Sequence, residues 1–515
     1  MSRINSNIPS LIARSNLNTS SKDLNLRLER LSTGLRINRG KDDPAGLIVS
    51  NRLGSEISGL NQAVKNSERA SSVISTAEGS LSEVADLLNS IRGLVVEAAN
   101  TGAISGQERA ANQLQIDSAI ESITRISNSA SFGGLKLLNG SLDYVLSGLS
   151  STAIAKANIY GADLSNRTSV QVNVQTIASA QTGRLYVRGD YAAGFGDGRL
   201  QSSITLEVAG PKGVQVIQFL SGTTLTEVRN AVNQFKAATG VSAILNNANQ
   251  NSGLVFSSQE FGSNEFVSVR QIDRVGGAGF FQTYALDNNA AVPTGANIPA
   301  LLGAGTLVAA QRDSGRDVFA IVNGSLGTGK GLSISLPNAS SLALDLQLTQ
   351  SFATANGSTS TFYITGGGAL YQLGGDINSS QQINVGIPSI AASRLGGVLN
   401  AGALQFLDSV RSGGKNDLNS GNFETATKVL LQAIDEISLQ RGRLGALERN
   451  TLDTNVRSLQ AAIENLTASR SVIRDADFAA ETSELSRAQV LSSAGTSVLQ
   501  LSNSQSQNVL QLLRT

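Results

Sequence analysis

Apolar residues recur at helical spacing over both ends of the chain and at strand spacing through its middle. From Leu53 to Val95 a seven-residue ladder runs through Leu53, Leu60, Ile74, Leu81, Leu88 and Val95, with Ser67 as a polar rung. Beside it, Leu81, Val84, Leu88, Ile91 and Val95 step by three and four in turn. That spacing predicts a helix with one apolar stripe. The stripe is narrow, and a narrow stripe calls for a partner helix, as in a coiled coil. A helix from Pro44 to about Asn100 would be roughly 80 Å long.

Ahead of it, Leu17, Leu24 and Leu31 repeat every seven, with Leu28 and Leu35 interleaved. Up to Arg39, basic residues such as Arg27, Arg30, Arg36 and Arg39 face only Asp23 and Glu29, which leaves residues 1–39 at about +5. A lone amphipathic helix is marginal in water. The arm is therefore expected to be unfolded in a free chain and to fold when it finds a partner. Asn38-Arg39-Gly40 stops the helix, and Asp42-Asp43-Pro44 restarts it. Gly46, Gly54, Gly59, Gly79 and Gly93 weaken the long helix by up to about 1 kcal/mol each. Packing must hold it, and small residues would let neighbouring helices come close. Thr101 to Gly106 reads as a turn. A second helix follows with Leu114, Ile116, Ile120, Ile123 and Ile126, ended by Ser131-Phe132-Gly133-Gly134.

From about Ser141 to Leu395 the texture is Gly, Ser, Thr and Asn with short alternating runs, such as Val170, Val172, Val174 and Ile204, Leu206, Val208. These predict strands with one buried face. Strands over Ser203–Val208 and Val214–Leu220 lead to Thr224-Leu225-Thr226-Glu227, a capping box. A helix with Leu225, Val228, Val232 and Phe235 then ends at Gly240, and strands near Val241–Leu245, Leu254–Phe256 and Phe266–Val269 follow, which reads as a ββαββ module.

Helical texture returns from about Asn400. Leu430, Ile434, Ile437, Leu444 and Leu447 form a stripe that Val456, Leu459, Ile463 and Leu466 continue. The last segment holds Leu485, Leu491, Ala494, Val498, Leu501, Asn508 and Leu512. Matching ends around an unlike middle suggest that the termini meet and that the middle is an insertion. The expected fold class is α+β multidomain: a long antiparallel coiled-coil helical bundle formed by both termini, with a β-rich central insertion containing the ββαββ module. The expected divisions are an arm at 1–43, bundle at 44–140, insertion at 141–399 (module at about 203–270), bundle at 400–470 and arm at 471–515.

Composition narrows the chemistry. The chain has 515 residues, with 40 basic against 39 acidic, so a bulk nucleic-acid binder is not expected. No eighteen-residue apolar run suggests membrane insertion, and Met1 to Ser20 lacks the charge-then-apolar pattern of a cleaved signal peptide. There is no Cys and no His, which removes thiol nucleophiles, Ser-His-Asp triads and His-based zinc sites. No catalytic residue, cofactor or metal is expected. Gly324-Ser325-Leu326-Gly327-Thr328-Gly329-Lys330 nearly matches a phosphate-binding loop, but Gly331 stands where Ser or Thr should be and a strand follows. A hairpin turn is the expected reading. Asp475 and Asp477 read as helix N-terminal charges rather than metal ligands. Ser and Thr in the middle could carry O-linked sugars, though no motif fixes where.

Several motifs together resemble a known family. Arg3-Ile4-Asn5-Ser6-Asn7, Leu31-Ser32-Thr33-Gly34-Leu35-Arg36-Ile37-Asn38 and Asp42-Asp43-Pro44-Ala45-Gly46-Leu47 look like the opening of bacterial flagellin. Thr76-Ala77-Glu78-Gly79-Ser80-Leu81, Phe132-Gly133-Gly134-Leu135-Lys136-Leu137-Leu138, Ile473-Arg474-Asp475-Ala476-Asp477-Phe478-Ala479-Ala480-Glu481 and Asn508-Val509-Leu510-Gln511-Leu512-Leu513 fit as well. The resemblance covers roughly 1–140 and 400–515, and the ββαββ module is similar to a recurrent flagellin insertion.

The resemblance implies a structural subunit, exported unfolded through the flagellar type III apparatus without a cleaved signal, that polymerises into an extracellular filament. Implied partners are other copies of the chain, an export chaperone, the filament cap and the hook–filament junction proteins. On this reading Leu24, Leu28, Leu31, Leu35, Leu53, Leu60, Leu81, Leu88, Val95, Leu491, Val498 and Leu512 pack between subunits. Leu88, Arg92 and Leu94 would form a weakened surface for a Toll-like innate receptor, because Ser90 and Gly93 replace an Arg and a Glu of the usual pattern. For Leu88, plain bundle packing is the stronger alternative. Other readings are the hook–filament junction protein, a secreted coiled-coil adhesin or translocator, and an enzyme. The zinc protease helix found in some flagellins needs two His.

Overall fold

The structure is a computed structural model that describes residues 6–164, 167–188, 198–275, 281–286, 307–336, 342–400 and 402–512. The chain forms two compact units. One comprises Met1–Ser72, Tyr371–Gln382 and Gly445–Thr515; the other comprises Val73–Leu370 and Ile383–Leu444.

The first unit is helical. α1 (Ile8–Thr33) begins at Asn7, whose Oδ1 accepts the Ser10 N–H at 3.0 Å, and ends at Gly34 in the left-handed region. The arm that was expected to wait for a partner thus has one in its own chain, described below. α2 (Pro44–Ala98) starts where Asp43 Oδ1 accepts the Gly46 N–H at 2.9 Å, while Asp42 Oδ2 ties the Asn38 and Arg39 N–H groups of the preceding turn. The helix therefore restarts at the predicted place because the Asp43 carboxylate satisfies one of its loose donors while Asp42 closes the turn before it. Ser67 is no flaw in the ladder. It is buried, donates to the Ala63 carbonyl at 3.0 Å and accepts from Asn455 Nδ2 at 3.1 Å. Asn455 also donates to the Leu373 carbonyl at 2.8 Å, so one polar rung fixes a register that apolar contacts alone would leave free to slide. Gly59 does allow a close approach, since an added Cβ would lie 3.4 Å from the Gly375 carbonyl oxygen. Gly79 and Gly93 face open space, so close packing does not explain them.

The second unit starts with the remainder of α2 and with α3 (Gly106–Ser129), entered through a full capping box between Ser105 and Glu108. Leu81, Val84, Leu88, Ile91 and Val95 on α2 are buried, as are Ile116, Ile120 and Ile123 on α3. Leu114, expected on that stripe, faces outward, and the buried Gln113 takes its side of the helix. Its amide donates to the Val410 carbonyl at 3.0 Å and accepts the Leu418 N–H at 2.8 Å. After α3, β1 (Ser131–Phe132) and β2 (Leu135–Lys136) form a hairpin whose turn is Gly133-Gly134, both at positive φ.

The central β region holds two cores. In the first, a sheet of order β16-β15-β5-β20-β3 packs against one of order β17-β18-β19-β4. Its strands are β3 (Tyr144–Ser147), β4 (Ile154–Ala162), β5 (Val170–Ala178), β15 (Phe319–Val322), β16 (Ser325–Leu326), β17 (Thr328–Lys330), β18 (Ser333–Leu336), β19 (Leu342–Leu348) and β20 (Thr359–Gly367). Val172, Val174, Leu344, Leu346 and Phe362 fill the space between the sheets. The loop look-alike at Gly324–Lys330 is indeed hairpin structure: Asn323 and Gly324, both at positive φ, turn β15 into β16.

The second core lies between sheets of order β14-β11-β7-β8 and β13-β12-β6-β10-β9. They are built from β6 (Arg184–Val187), β7 (Ser203–Gly210), β8 (Gly213–Phe219), β9 (Val241–Leu245), β10 (Leu254–Ser258), β11 (Phe266–Val275), β12 (Thr283–Leu286), β13 (Leu307–Ala309) and β14 (Arg312–Ser314). α4 (Leu225–Gln234), capped by Thr224 and Glu227, buries Leu225, Val228 and Val232 in the same core. Between β8 and β9 lie α4 and a further turn of helix at Lys236–Thr239, and β7–β8 and β9–β10 belong to different sheets.

The chain leaves this region beside the point where it entered. The Ile390 N–H donates to the Leu138 carbonyl at 3.1 Å and the Ile387 N–H to the Leu142 carbonyl at 3.0 Å. α5 (Phe423–Leu447) then buries Val429, Leu430, Ala433, Ile437 and Leu444. It is pinned to β4 and β19 by Lys156–Glu436 at 2.6 Å and by Arg443, which lies over the Tyr160 ring and pairs with Asp345 at 3.2 Å. A π turn over Glu448–Leu452 carries α5 into α6 (Asp453–Arg474), and α7 (Phe478–Leu512) ends the described chain.

Candidate functional site: the paired terminal helices

α1 and α7 lie side by side and run in opposite directions. Asn7 Nδ2 donates to the Ser502 carbonyl at 3.2 Å and Ser10 Oγ to Asn503 Oδ1 at 2.8 Å, whereas at the other end Arg27 and Arg30 meet Glu481. The pair is closed by backbone bonds: the Arg36 N–H donates to the Arg474 carbonyl at 2.7 Å and the Ala476 N–H to the Gly34 carbonyl at 2.9 Å. Leu35 and Asp475 form an isolated antiparallel bridge. Asp477 caps α7, its Oδ1 accepting the Ala479 N–H at 2.9 Å and the Ala480 N–H at 3.2 Å. Asp475 sits past the end of α6 instead, where its Oδ2 accepts from Ser471 Oγ at 2.5 Å. Two neighbouring aspartates thus close one helix and open the next.

Glu481 is the electrostatic centre of the pair. Its Oε2 lies 3.0 Å from Arg27 Nη1 and its Oε1 3.0 Å from Arg30 Nη1, with the carboxylate only 9% exposed. Burial pushes its pKa up, but the Arg27 and Arg30 hydrogen bonds and charges outweigh burial and hold it below the ordinary range. The Glu481 hydrogen bond in turn raises the Arg27 pKa. This answers the unbalanced charge of the basic arm. The arm's excess of arginine was the signal, but its match lies more than 450 positions away and no local pattern names it.

Two helices cannot cover each other's apolar residues fully. Ala13 and Ala488 are buried, and Leu24, Leu31 and Leu35 are partly covered. Leu28, Leu491 and Val498 remain 46%, 48% and 55% exposed. Sequence periodicity missed Ile8, Leu11, Ile12, Val490 and Phe478, which are also exposed. The side chain of Leu512 lies outside the described residues. In the same unit Leu53 and Leu60 are half-buried, and α6 buries no residue at all.

Three of the residues expected between subunits are placed elsewhere. Leu81, Leu88 and Val95 have no exposed surface in the single chain. The stripes of α2, α3 and α5 are buried within the single chain, so this part closes without a neighbour. For the same reason Leu88 cannot present itself to a receptor. Arg92 is exposed and Leu94 is half-buried. No group of three or more acidic side chains that could hold a metal occurs among the described residues, and none of their helices is long and apolar enough to cross a membrane.

The sequence model of the bacterial flagellin N-terminal helical region matches residues 4–143, and that of the C-terminal helical region matches 427–513. A third, the flagellin hook IN motif, matches 203–260, the stretch from β7 past β10. The chain is 30% identical to the B-type flagellin of Pseudomonas aeruginosa and 28% identical to the flagellin of Salmonella typhimurium, in each case over 99% of both proteins. It is 44% identical to polar flagellin F of Vibrio parahaemolyticus over 27% of this chain and 36% of that protein. Two terminal helices that close on each other, leave apolar rows open and match the flagellin ends in order leave one conclusion: the chain belongs to the bacterial flagellin family.

Proposed function

We propose that the open apolar rows on α1 and α7, with the half-buried Leu53 and Leu60, are the surfaces through which this structural subunit polymerises into the flagellar filament. The exposed Leu28, Leu491 and Val498 on a helix pair that is otherwise tied by hydrogen bonds carry the reading. Burying such rows is favourable by about 25 cal/mol per Å² of apolar surface, with ordering of the arms offsetting part of it. The arms at 1–43 and 471–515 act as the polymerising segments, 44–140 and 400–470 as the supporting bundle, and 141–399 as the outward-facing insertion. Export, contact with an export chaperone, the cap and the junction proteins, a purely structural and non-enzymatic role, and a place outside the cell complete the proposal.

Seeded polymerisation tests it. The purified chain is mixed with filament seeds and inspected by negative-stain microscopy, beside Leu491→Asp and Val498→Asp. Long tubes from the unsubstituted chain and none from the variants are expected. Discrete particles of fixed size would overturn the reading in favour of a closed oligomer. Limited proteolysis of the free chain is expected to trim both arms and spare roughly 44–470.

A further inference from the structure

The triplet Asn-Gly-Ser occurs at Asn139-Gly140-Ser141, at Asn323-Gly324-Ser325 and at Asn356-Gly357-Ser358. All three asparagines are exposed. An asparagine followed by glycine can react with its own backbone: the glycine nitrogen attacks the side-chain carbonyl carbon, and no Cβ on the glycine obstructs the approach. The attack has three requirements. The glycine N–H must be free to give up its proton. The side chain must lie over that nitrogen. The charge that develops on Oδ1 must be stabilised. Because the three triplets are identical in sequence, the fold decides which of them meets these requirements.

Asn139 meets them. Its Oδ1 accepts the Ser141 N–H at 3.0 Å, two residues further on. That bond folds the side chain back over the intervening Gly140 nitrogen, as an Asx turn does. It also places a donor where the oxyanion would form. The Gly140 N–H has no hydrogen-bond acceptor among the described residues. Asn323 is locked instead. Its Oδ1 accepts the Asn173 N–H at 2.7 Å and its Nδ2 donates to the Gln171 carbonyl at 2.8 Å, so both ends of the amide are tied to β5. At Asn356 the nucleophile is occupied, since the Gly357 N–H donates to the Thr176 carbonyl at 2.9 Å.

We infer that Asn139 is a modification site, converted spontaneously to aspartate and isoaspartate with water as the reagent consumed. The Gly140 nitrogen loses its proton to solvent base and forms a bond to Asn139 Cγ. Negative charge gathers on Oδ1, where the Ser141 N–H holds it. The Cγ–Nδ2 bond then breaks, and Nδ2 takes a proton from water and leaves as ammonia. Water opens the resulting ring. Cleavage between Cγ and nitrogen yields aspartate; cleavage between the main-chain carbonyl carbon and nitrogen yields isoaspartate. Either product adds a negative charge, and isoaspartate also adds a methylene to the main chain. Both changes fall between Leu138 and Leu142, whose carbonyls accept from Ile390 and Ile387. This chemistry requires neither a partner nor a polymer.

The full-length chain is aged in mildly alkaline buffer, folded in one sample and unfolded in urea in another. Each sample is digested, and the peptide carrying each triplet is followed by the mass gain of deamidation. Labelling with an isoaspartate methyltransferase marks the rearranged product. One well-placed oxyanion donor is worth roughly 10²–10³ in rate inside an enzyme, so at this exposed turn Asn139 is expected to outpace Asn323 and Asn356 by at least about tenfold in the folded chain. In urea the three triplets are expected to react alike. Equal rates in the folded chain, or a lead by Asn323 or Asn356, overturn the assignment. An equally large lead for Asn139 in urea also overturns it, because the Ser141 bond would then have no part in the reaction.

Discussion

Replacing Glu481 by Gln keeps the shape of the side chain but removes the charge that joins α1 to α7. In the native pair two guanidinium groups donate to one carboxylate at 3.0 Å each. A charge-assisted hydrogen bond is worth about 1.5–3 kcal/mol and a neutral one about 0.5–1.5. Gln offers one accepting oxygen, so one bond keeps only the guanidinium's charge and is weakened, and the other is lost. A deeply buried ion pair would cost about 3–5 kcal/mol to break. Here only two helices separate the carboxylate from water, and the expected loss is about 2 kcal/mol, near the lower figure. Read as local opening, this is roughly a thirtyfold fall in amide protection over Leu24–Thr33 and Glu481–Ala488. Hydrogen exchange with mass spectrometry on full-length chain measures it, with Glu484→Gln as the control, because Glu484 makes only an exposed contact of 3.9 Å with Arg487. The pH dependence follows from the lowered Glu481 pKa. Its stabilisation is complete above the ordinary value of 4.5 and is lost as pH falls through the depressed one. Unchanged protection in the Gln variant, or a loss no greater than in the control, would refute the argument.

Leu88→Ala empties a site with no exposure and is expected to cost about 2–5 kcal/mol in thermal unfolding. Leu491→Ala should change the free chain by less than about 0.5 kcal/mol yet slow seeded elongation, and the opposite pattern in calorimetry and turbidity would be decisive against it. At Gly329 an added Cβ would lie 1.9 Å from the Val318 carbonyl oxygen, so Gly329→Ala should lower the unfolding midpoint by an amount on the order of 1–3 kcal/mol. Burial raises the Asp143 pKa against the Tyr144 N–H bond and the Arg394 charge. Ionised Asp143 therefore costs stability at neutral pH, and the cost fades as pH falls through the raised value toward 3.8. Asp143→Asn should melt higher than the native chain at pH 7 and level with it below about pH 4; a gap that persists in acid would show another cause.

The helices were legible because their signals are local. Asp43-Pro44 marks a start and the ladder from Leu53 to Val95 a continuous stripe, whereas α1 stops at Gly34, ahead of the Asn38-Arg39-Gly40 stop expected from the sequence. Which stripe is satisfied at home was not legible. Leu88 and Leu491 look alike in a heptad, and only the crowd of α2, α3 and α5 stripes distinguishes them. Glu481 was hidden for a similar reason, since its partners are remote in sequence. In the middle, the alternation at Val170–Val174 and Ile204–Val208 predicted strands correctly, but alternation says which face is buried and not which strand lies alongside. Thus β5 pairs with β20 across nearly two hundred residues, and β7–β8 part company with β9–β10 into separate sheets.

Backbone bonds between the Leu138–Leu142 and Ile387–Ile390 stretches bring the outgoing and the returning chain together. Chain passing outward and chain returning stand about 5 Å apart there, as antiparallel neighbours do. Part of what lies beyond is tied back to the helices, since the Leu373 carbonyl accepts from Asn455 and Lys156 pairs with Glu436. A lineage or a laboratory could therefore exchange a piece of this cassette between close ends, provided the replacement leaves those anchors in place.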